Sequence, residues 1–316
     1  MKDQPLVSII IPAKNEQDHM DKLLTSLKDQ KYGNFEVVIV DDASSDETPE
    51  IIKRFMYSSP YPLKLITHQK SLGAAKSRND GIGNSIGEFI AFLDSDDRMN
   101  PEYLSKAVPQ FSEDVAGIAP IMEYTKDTWV ERGLVSILKI ESEKIPLPHI
   151  WRRRDLKEIG NWDTKLGIGE DKDLHERIKE YCEKHDKRVV TCKECIKTTH
   201  VVHTLGELYR QHQWYGRGIY SFLRKRGNLK NATTLGKLSY PLVYIGPMAF
   251  LLHLPFSSLL LVISLPNIIF EIIRISRGVR NDGIYGFYTL ILDGVKWFAF
   301  TIGLIEFILT RKKFRE

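Results

Sequence analysis

The sequence predicts an α/β fold, a mostly parallel sheet covered on both faces, followed by C-terminal transmembrane helices. Three observations carry this reading. Short β-branched runs alternate with amphipathic stretches through the first hundred residues. Two of those runs end directly on clusters of acidic residues, and from Tyr240 onward the chain turns strongly apolar.

Leu6–Ile11, stopped by Pro12, reads as a buried strand, and Asn15 and Glu16 open a helix carrying Leu23, Leu24 and Leu27 on one face. Phe35–Val40 is a second strand ending on Asp41-Asp42. The stretch Ala43–Pro49 supplies turn and capping chemistry for a helix with Ile51, Ile52 and Phe55. Leu63–Ile66 is a third strand, Ala74–Asn84 a third helix, and Phe89–Leu93 a fourth strand running into Asp94-Ser95-Asp96-Asp97. Strand–helix alternation of this kind builds parallel pairings, and ligands bind beyond the carboxyl ends of such strands. Further on, Ala116–Met122 and Arg188–Thr191 are expected strands, and Glu170–His185 and Glu207–Arg226 expected helices.

The 316 residues carry a net charge of +4, too small to imply a nucleic-acid partner. Its distribution is more telling: Arg224, Lys225, Arg226, Lys230 and Lys237 form a basic collar ahead of the apolar region, as expected at the cytoplasmic side of anionic membrane lipids. Two apolar blocks follow, Tyr240–Ile273 and Ile284–Leu309, each long enough for the roughly 20 residues that a hydrocarbon core requires. Pro247, Pro255 and Pro266 break the first block, and Arg274, Arg277 and Arg280 between the blocks conflict with a plain hairpin. An even number of crossings is expected, with the Arg311-Lys312-Lys313 tail cytoplasmic. The N-terminus leads into a strand and not into a signal peptide. Cys182, Cys192 and Cys195 form no disulfide framework. Cys192 and Cys195 with His200 and His203 imitate zinc spacing, but only four residues separate the pairs.

Several clusters carry chemistry. Asp94-Ser95-Asp96 offers two carboxylates with one spacer at a strand end, suited to a hard divalent cation but equally to a turn. Asp41 could accept hydrogen bonds from a ligand or merely start a turn. Leu72–Asn79, with Gly73, Lys76 and Arg78, puts small residues and cations at a loop-to-helix junction, where a diphosphate would fit. Gly169-Glu170-Asp171 begins a helix, and a carboxylate there can cap the helix or act as a base. Trp151-Arg152-Arg153-Arg154 could meet a lipid phosphate or form a solvated face. A dinucleotide oxidoreductase is disfavoured, since no Gly-x-Gly-x-x-Gly follows the first strand.

Taken in order, Val7–Glu16, Val38–Thr48, Leu72-Gly73 with Arg78–Gly81, Asp94–Asp97, Ile159–Asp163 and Gly169–Leu174 resemble the family 2 glycosyltransferases over about residues 6–220. That resemblance implies a GT-A (Rossmann-like) fold and inverting transfer from a UDP- or GDP-sugar. By position it implies that Pro12, Ala13, Glu16 and Asp41 contact the base and ribose. Arg78 and Asp94, together with Ser95 and Glu170, would support the ribose and diphosphate. Asp96 would ligate Mn2+ or Mg2+, Asp171 would be the catalytic base, and His203 (or His200) would be a histidine ligand.

The implied organisation is a transferase domain over 1–225, a basic juxtamembrane linker over 226–239 and membrane-anchoring helices with a basic tail over 240–316. The implied reaction adds a single sugar to a polyprenyl phosphate or lipid-linked glycan at the cytoplasmic face of the cell membrane. A processive polysaccharide synthase is less favoured, because Gln213 stands where the Gln-x-x-Arg-Trp motif has its arginine, although Trp214 is present. A catalytically silent nucleotide-sugar-binding scaffold is the other alternative, disfavoured by the presence of Asp41, Asp94, Asp96 and Asp171 together.

Overall fold

The computed structural model describes residues 4–141, 148–166, 169–226, 269, 272–273 and 284–310. They fall into two compact units. The first is Met1–Tyr124, Ile145–Lys165 and Gly169–His200; the second is Thr125–Lys144, Leu166–Ile168 and Val201–Glu316.

The first unit is built on one sheet. β1 (Val7–Ala13), β2 (Phe35–Asp41), β3 (Leu63–Thr67) and β4 (Phe89–Phe92) alternate with α1 (Gln17–Lys28), α2 (Thr48–Met56) and α3 (Ala74–Gly83). β5 (Arg98–Met99), α4 (Tyr103–Ala107), β6 (Val115–Tyr124), β7 (Ile150–Arg152), α6 (Arg153–Ile159), α7 (Glu170–His185) and β8 (Arg188–Thr199) complete it, while α5 (Trp129–Glu141) belongs to the second unit. The strand order is β3-β2-β1-β4-β7-β6-β8-β5.

The strands are unbroken apolar runs because both faces are covered. Val7, Ile9 and Ile11 pack on Met20, Leu23, Leu24 and Leu27 of α1, whereas Ile10 faces the opposite layer with Val38, Trp151, Leu174 and Ile178. Each of the four fully buried α1 side chains contributes roughly 1.5–3 kcal/mol by leaving water.

The sheet is less parallel than expected. β1 pairs parallel with β2 and β4, β2 with β3, and β6 with β8. β7 runs against both β4 and β6, and β5 runs against β8. The reversal begins at β7, whose three residues present one continuous buried face and no readable alternation.

β7 also relocates the arginine run. Arg152 lies opposite Phe89, the first residue of β4, and so at the amino end of the parallel strands, away from Asp94. It contacts Glu88 at 3.5 Å and donates to the Ser112 carbonyl at 3.2 Å. Arg153 donates to the Ile82 carbonyl at 3.2 Å and to Ser85 at 2.9 Å, and Arg154 pairs with Glu113. Arg152 and Arg153 thus tie the back of the sheet together, whereas Arg154 is about half exposed and pairs with the exposed Glu113, as the solvated-face reading of the run has it.

A second correction concerns the cysteines. Pro120 pairs with Cys192 but Ile121 pairs with Ile196, so Lys193–Cys195 bulge from β8. The bulge brings Cys192 and Cys195 together as a disulfide, with Cα atoms 5.3 Å apart. Both sulfurs are thus spent on each other, which removes the zinc reading.

In the second unit, Val130 and Leu134 of α5, Leu208 of α8 (Leu205–Arg226) and Leu292 of α9 (Ile284–Thr310) form a small core. Thr128 and Glu131 cap α5 reciprocally: Glu131 accepts from the Thr128 amide at 2.6 Å, and the Glu131 amide donates to the Thr128 hydroxyl at 3.2 Å. The basic collar from Lys230, most of the Tyr240–Ile273 block and the Arg311-Lys312-Lys313 tail lie outside the described residues. Among the described residues no helix is long and apolar enough to cross a membrane, so the expected spans are not shown by them. α9 also carries charged residues with partners in its own unit. Asp293 is buried beside Lys296 at 3.1 Å, and Glu306 accepts from Gln213 at 2.9 Å and Arg217 at 2.8 Å.

A Cβ at Gly81 would stand 2.3 Å from Ile10 Cγ2, whereas one at Gly83 meets nothing within 4 Å. Gly81→Ala should cost roughly 1–3 kcal/mol in denaturant titrations, from displacing α3 off β1. Gly83→Ala, on the same helix, should be neutral or slightly stabilising.

Candidate active site

The site gathers at the carboxyl ends of β1, β2 and β4. Parallel register sets Ala13 beside Asp41, and the Asp42 amide donates to the Ala13 carbonyl at 2.8 Å. Beyond this point the two loops interlock. Asn15 N donates to Ser44 Oγ at 2.9 Å, Ser45 N donates to Asn15 Oδ1 at 2.8 Å, and Glu16 N donates to Thr48 Oγ1 at 2.7 Å. Asn15 (φ 56°) and Ala43 (φ 60°) adopt the left-handed region without being glycine, a local strain that functional loops commonly hold. Asp41 is buried, its Oδ1 accepting from the Ser44 amide at 3.2 Å. Pro12 is half-buried and Ala13 buried at the same edge.

Asp42 organises the neighbouring loop. It accepts from His68 at 2.7 Å, Ser71 at 2.6 Å, and the amides of Leu72 and Gly73 at 2.7 and 2.9 Å. These bonds outweigh burial and hold its carboxyl below the usual range. The loop in turn delivers α3, and with it Arg78.

Asp94–Asp97 form a tight turn at the end of β4. Asp97 N donates to the Asp94 carbonyl at 3.0 Å, and Asp94 N donates back to Asp97 Oδ2 at 2.8 Å. Lys197 of β8 pins the turn, its Nζ 2.6 Å from Asp97 Oδ2, with both side chains almost fully buried. Removing one partner of such a pair costs on the order of 3–5 kcal/mol. Asp96 is pushed up to about 7, by burial first and then by the crowding charges of Asp97, Asp94 and Glu16. Glu16 is likewise raised to about 7 by burial, against the hydrogen bond that Ser95 donates to it. Burial also acts on Asp94, but Arg78 and Lys197 hold it well below the usual carboxylate range.

Arg78 ties this turn to the start of α7. Its Nη2 donates to Asp94 Oδ1 at 2.8 Å, while Nη1 lies 3.5 Å from Asp171 and 3.8 Å from Glu170. Nη1 is buried and completes no hydrogen bond among the described residues. Asp171 is half exposed, and the Trp162 indole donates to its Oδ1 at 3.0 Å.

Of the residues expected from sequence, Glu16, Ser95, Asp96, Arg78, Asp94, Glu170 and Asp171 form one connected group, with Pro12, Ala13 and Asp41 on the same edge. His203 falls in the second unit, where its Nδ1 faces Glu131 at 3.1 Å. His149 and Lys197 were not anticipated, nor were the contacts that Asn79 and Trp162 make. His149 is kept neutral, pushed to about 3 by burial and then by Lys197. Asn79 and Trp162 stand in the Arg78–Gly81 and Ile159–Asp163 motifs, whereas His149 and Lys197 lie in stretches without pattern.

Comparison with known proteins agrees with this geometry. Residues 8–172 match Glycosyl transferase family 2. An uncharacterized glycosyltransferase of Haemophilus influenzae is 31% identical over 232 residues, covering 65% of this chain and 77% of that one. The Escherichia coli UDP-Glc:alpha-D-GlcNAc-diphosphoundecaprenol beta-1,3-glucosyltransferase is 41% identical over 95 residues, covering 30% of this chain and 36% of its own length. The Pyrobaculum calidifontis mannosyltransferase, solved with GDP-Man and Mn2+, shares the fold over 98% of this chain and 89% of its own, with a TM-score of 0.60 and 17% identity. The family match spans over half of the chain and contains every strand end of the site, so the chain belongs to glycosyl transferase family 2 and is a glycosyltransferase.

Proposed function

We propose that the chain catalyses inverting transfer of a single sugar from a UDP- or GDP-sugar to a lipid-linked acceptor at the cytoplasmic membrane face. The observation that carries this reading is Arg78, set between Asp94 and Asp171 with Nη1 unspent. A diphosphate offers that N–H the acceptor it lacks and lies beside a carboxylate able to take a proton.

The donor set suits a hard divalent cation. Asp94 and Asp96 are oxygen ligands on a rigid turn, and Asp96 shares its surroundings with Glu16, an excess of acid that a cation would relieve. Mn2+ or Mg2+ held by Asp96 would supply positive charge against the departing diphosphate. Arg78 balances charge on the nucleotide, and the interlocked Asn15 and Ser44 loops shape the base and ribose pocket around Asp41. Asp171 accepts the proton of the acceptor hydroxyl as its oxygen attacks the anomeric carbon from the face opposite the leaving group.

The Escherichia coli relative, named for action on a diphosphoundecaprenol-linked sugar, supports a lipid-linked acceptor. The basic collar and the apolar block after Tyr240 support a site at a membrane, with 226–239 as a linker and 240–316 as the anchoring part. Gln213 donates to Glu306, an engagement that favours single addition over a processive motif.

Radiolabelled UDP- and GDP-sugars offered to membranes containing the chain should label the lipid extract from one donor. Asp171→Asn should lower that transfer by at least about a hundredfold while UDP or GDP binding with Mn2+ persists; unchanged turnover would remove Asp171 as base. EDTA should stop transfer and Mn2+ restore it. Glu16 and Asp96 bind protons more tightly folded than unfolded. Their stabilising contribution is therefore present at low pH and lost as pH rises from about 4 through about 7. In EDTA, the wild type should thus lose more stability between pH 5 and pH 8 than Asp96→Asn does. Equal losses would contradict the crowding at Asp96.

A further inference from the structure

Trp162 is 6% exposed and does more than fill the core. Its ring packs edge-on against Phe92 of β4, with centroids 4.4 Å apart, and the Arg78 guanidinium lies 5.5 Å from its centroid. The indole N–H leaves this packed environment to meet Asp171 Oδ1 at 3.0 Å. The backbone of Trp162 is fixed with equal care. Asn79, next to Arg78 on α3, accepts from Trp162 N at 3.1 Å and donates to Trp162 O at 2.8 Å. Arg177, two turns along α7 from Asp171, donates to the carbonyls of Ile159, Gly160 and Asn161 at 2.8, 2.7 and 3.0 Å. Asp173 holds Arg177 in place at 2.9 Å. One end of the segment is thus fastened to the helix of the acid and the other to the helix of the arginine.

From this arrangement we infer that Trp162 is the positioning residue for the catalytic base. The inference rests on Asp171 having the role given above. The indole occupies Oδ1, which leaves Oδ2 as the oxygen that receives the acceptor proton. Arg78 Nη1 stands 3.5 Å from the same Oδ1 of a half-exposed side chain, too far for a hydrogen bond, so the ion pair alone leaves the carboxylate freedom about χ2. The indole donor removes that freedom, and Asn79 keeps the donor itself from drifting when a nucleotide engages Arg78. A small misplacement of a base costs heavily in rate, because the reacting atoms must be aligned before the barrier is crossed.

The experiment compares the full chain with Trp162→Phe, which keeps the ring in its packing and deletes only the donor. The assay is transfer from whichever radiolabelled nucleotide-sugar the wild type uses, with binding of UDP or GDP in Mn2+ followed separately. Trp162→Phe should lower kcat by about ten- to a hundredfold with donor KM and nucleotide affinity little changed. Asn79→Ala should act in the same direction, and the double variant should fall little below the worse single one. Wild-type kcat for Trp162→Phe, with Asp171→Asn inactive, would overturn the positioning role and leave the base intact. Activity in Asp171→Asn would instead overturn the reading of the base. Loss of nucleotide binding in Trp162→Phe would also overturn the inference, by assigning Trp162 to the donor pocket.

Discussion

A guanidinium that is almost wholly buried has to be surrounded by carboxylates, and Arg78 imposes that requirement on the architecture around it. Desolvation penalises its charge, yet Asp94 and Asp171 more than offset the penalty and hold it protonated. The end of β4 and the start of α7 must both reach it, although sixteen and ninety-three residues separate Asp94 and Asp171 from Arg78 in the sequence. Once they do, the acidic turn after β4 and the candidate base are parts of one electrostatic unit. The same pairing leaves one N–H unspent, and this is what makes the cluster a site and not only an internal ion-pair network.

A second buried pair stiffens the first. Lys197 and Asp97 lock the turn that presents Asp94 and Asp96, so the acids cannot relax away from one another. Crowding therefore persists, and it appears as protons retained by Asp96 and Glu16 near neutrality. A turn free to open would lose both the crowding and the oxygen geometry suited to a cation. The bulge in β8 places Lys197 where Asp97 needs it, immediately after the Cys192–Cys195 bridge.

The parallel half of the sheet was legible because β1, β2 and β4 are covered on both faces, which writes continuous apolar runs into the sequence. The acids at their ends were legible for the same reason, since a charge that terminates such a run sits at the ligand-binding edge. The antiparallel half was not. β7 has three residues, one of them an arginine that is buried against Phe89 and Phe111, so its sequence looks like a charge run. β5 has two residues and no pattern at all. Partnerships such as Lys197 with Asp97, or Asn79 with Trp162, join residues about eighty to a hundred positions apart, and no local spacing announces them. In the second block, Asp293, Lys296 and Glu306 are satisfied by neighbours within their own unit, pairings that averaging hydropathy over a window conceals.

The central claim is that Arg78 is the point where the nucleotide and the base meet. The most direct measurement is a crystal structure of the chain with UDP or GDP and Mn2+. The account predicts a diphosphate oxygen within hydrogen-bond distance of Arg78 Nη1, the cation on Asp96, and Asp171 still bonded to the Trp162 indole. A nucleotide seated with its diphosphate away from Arg78, or a cation bound without Asp96, would contradict it.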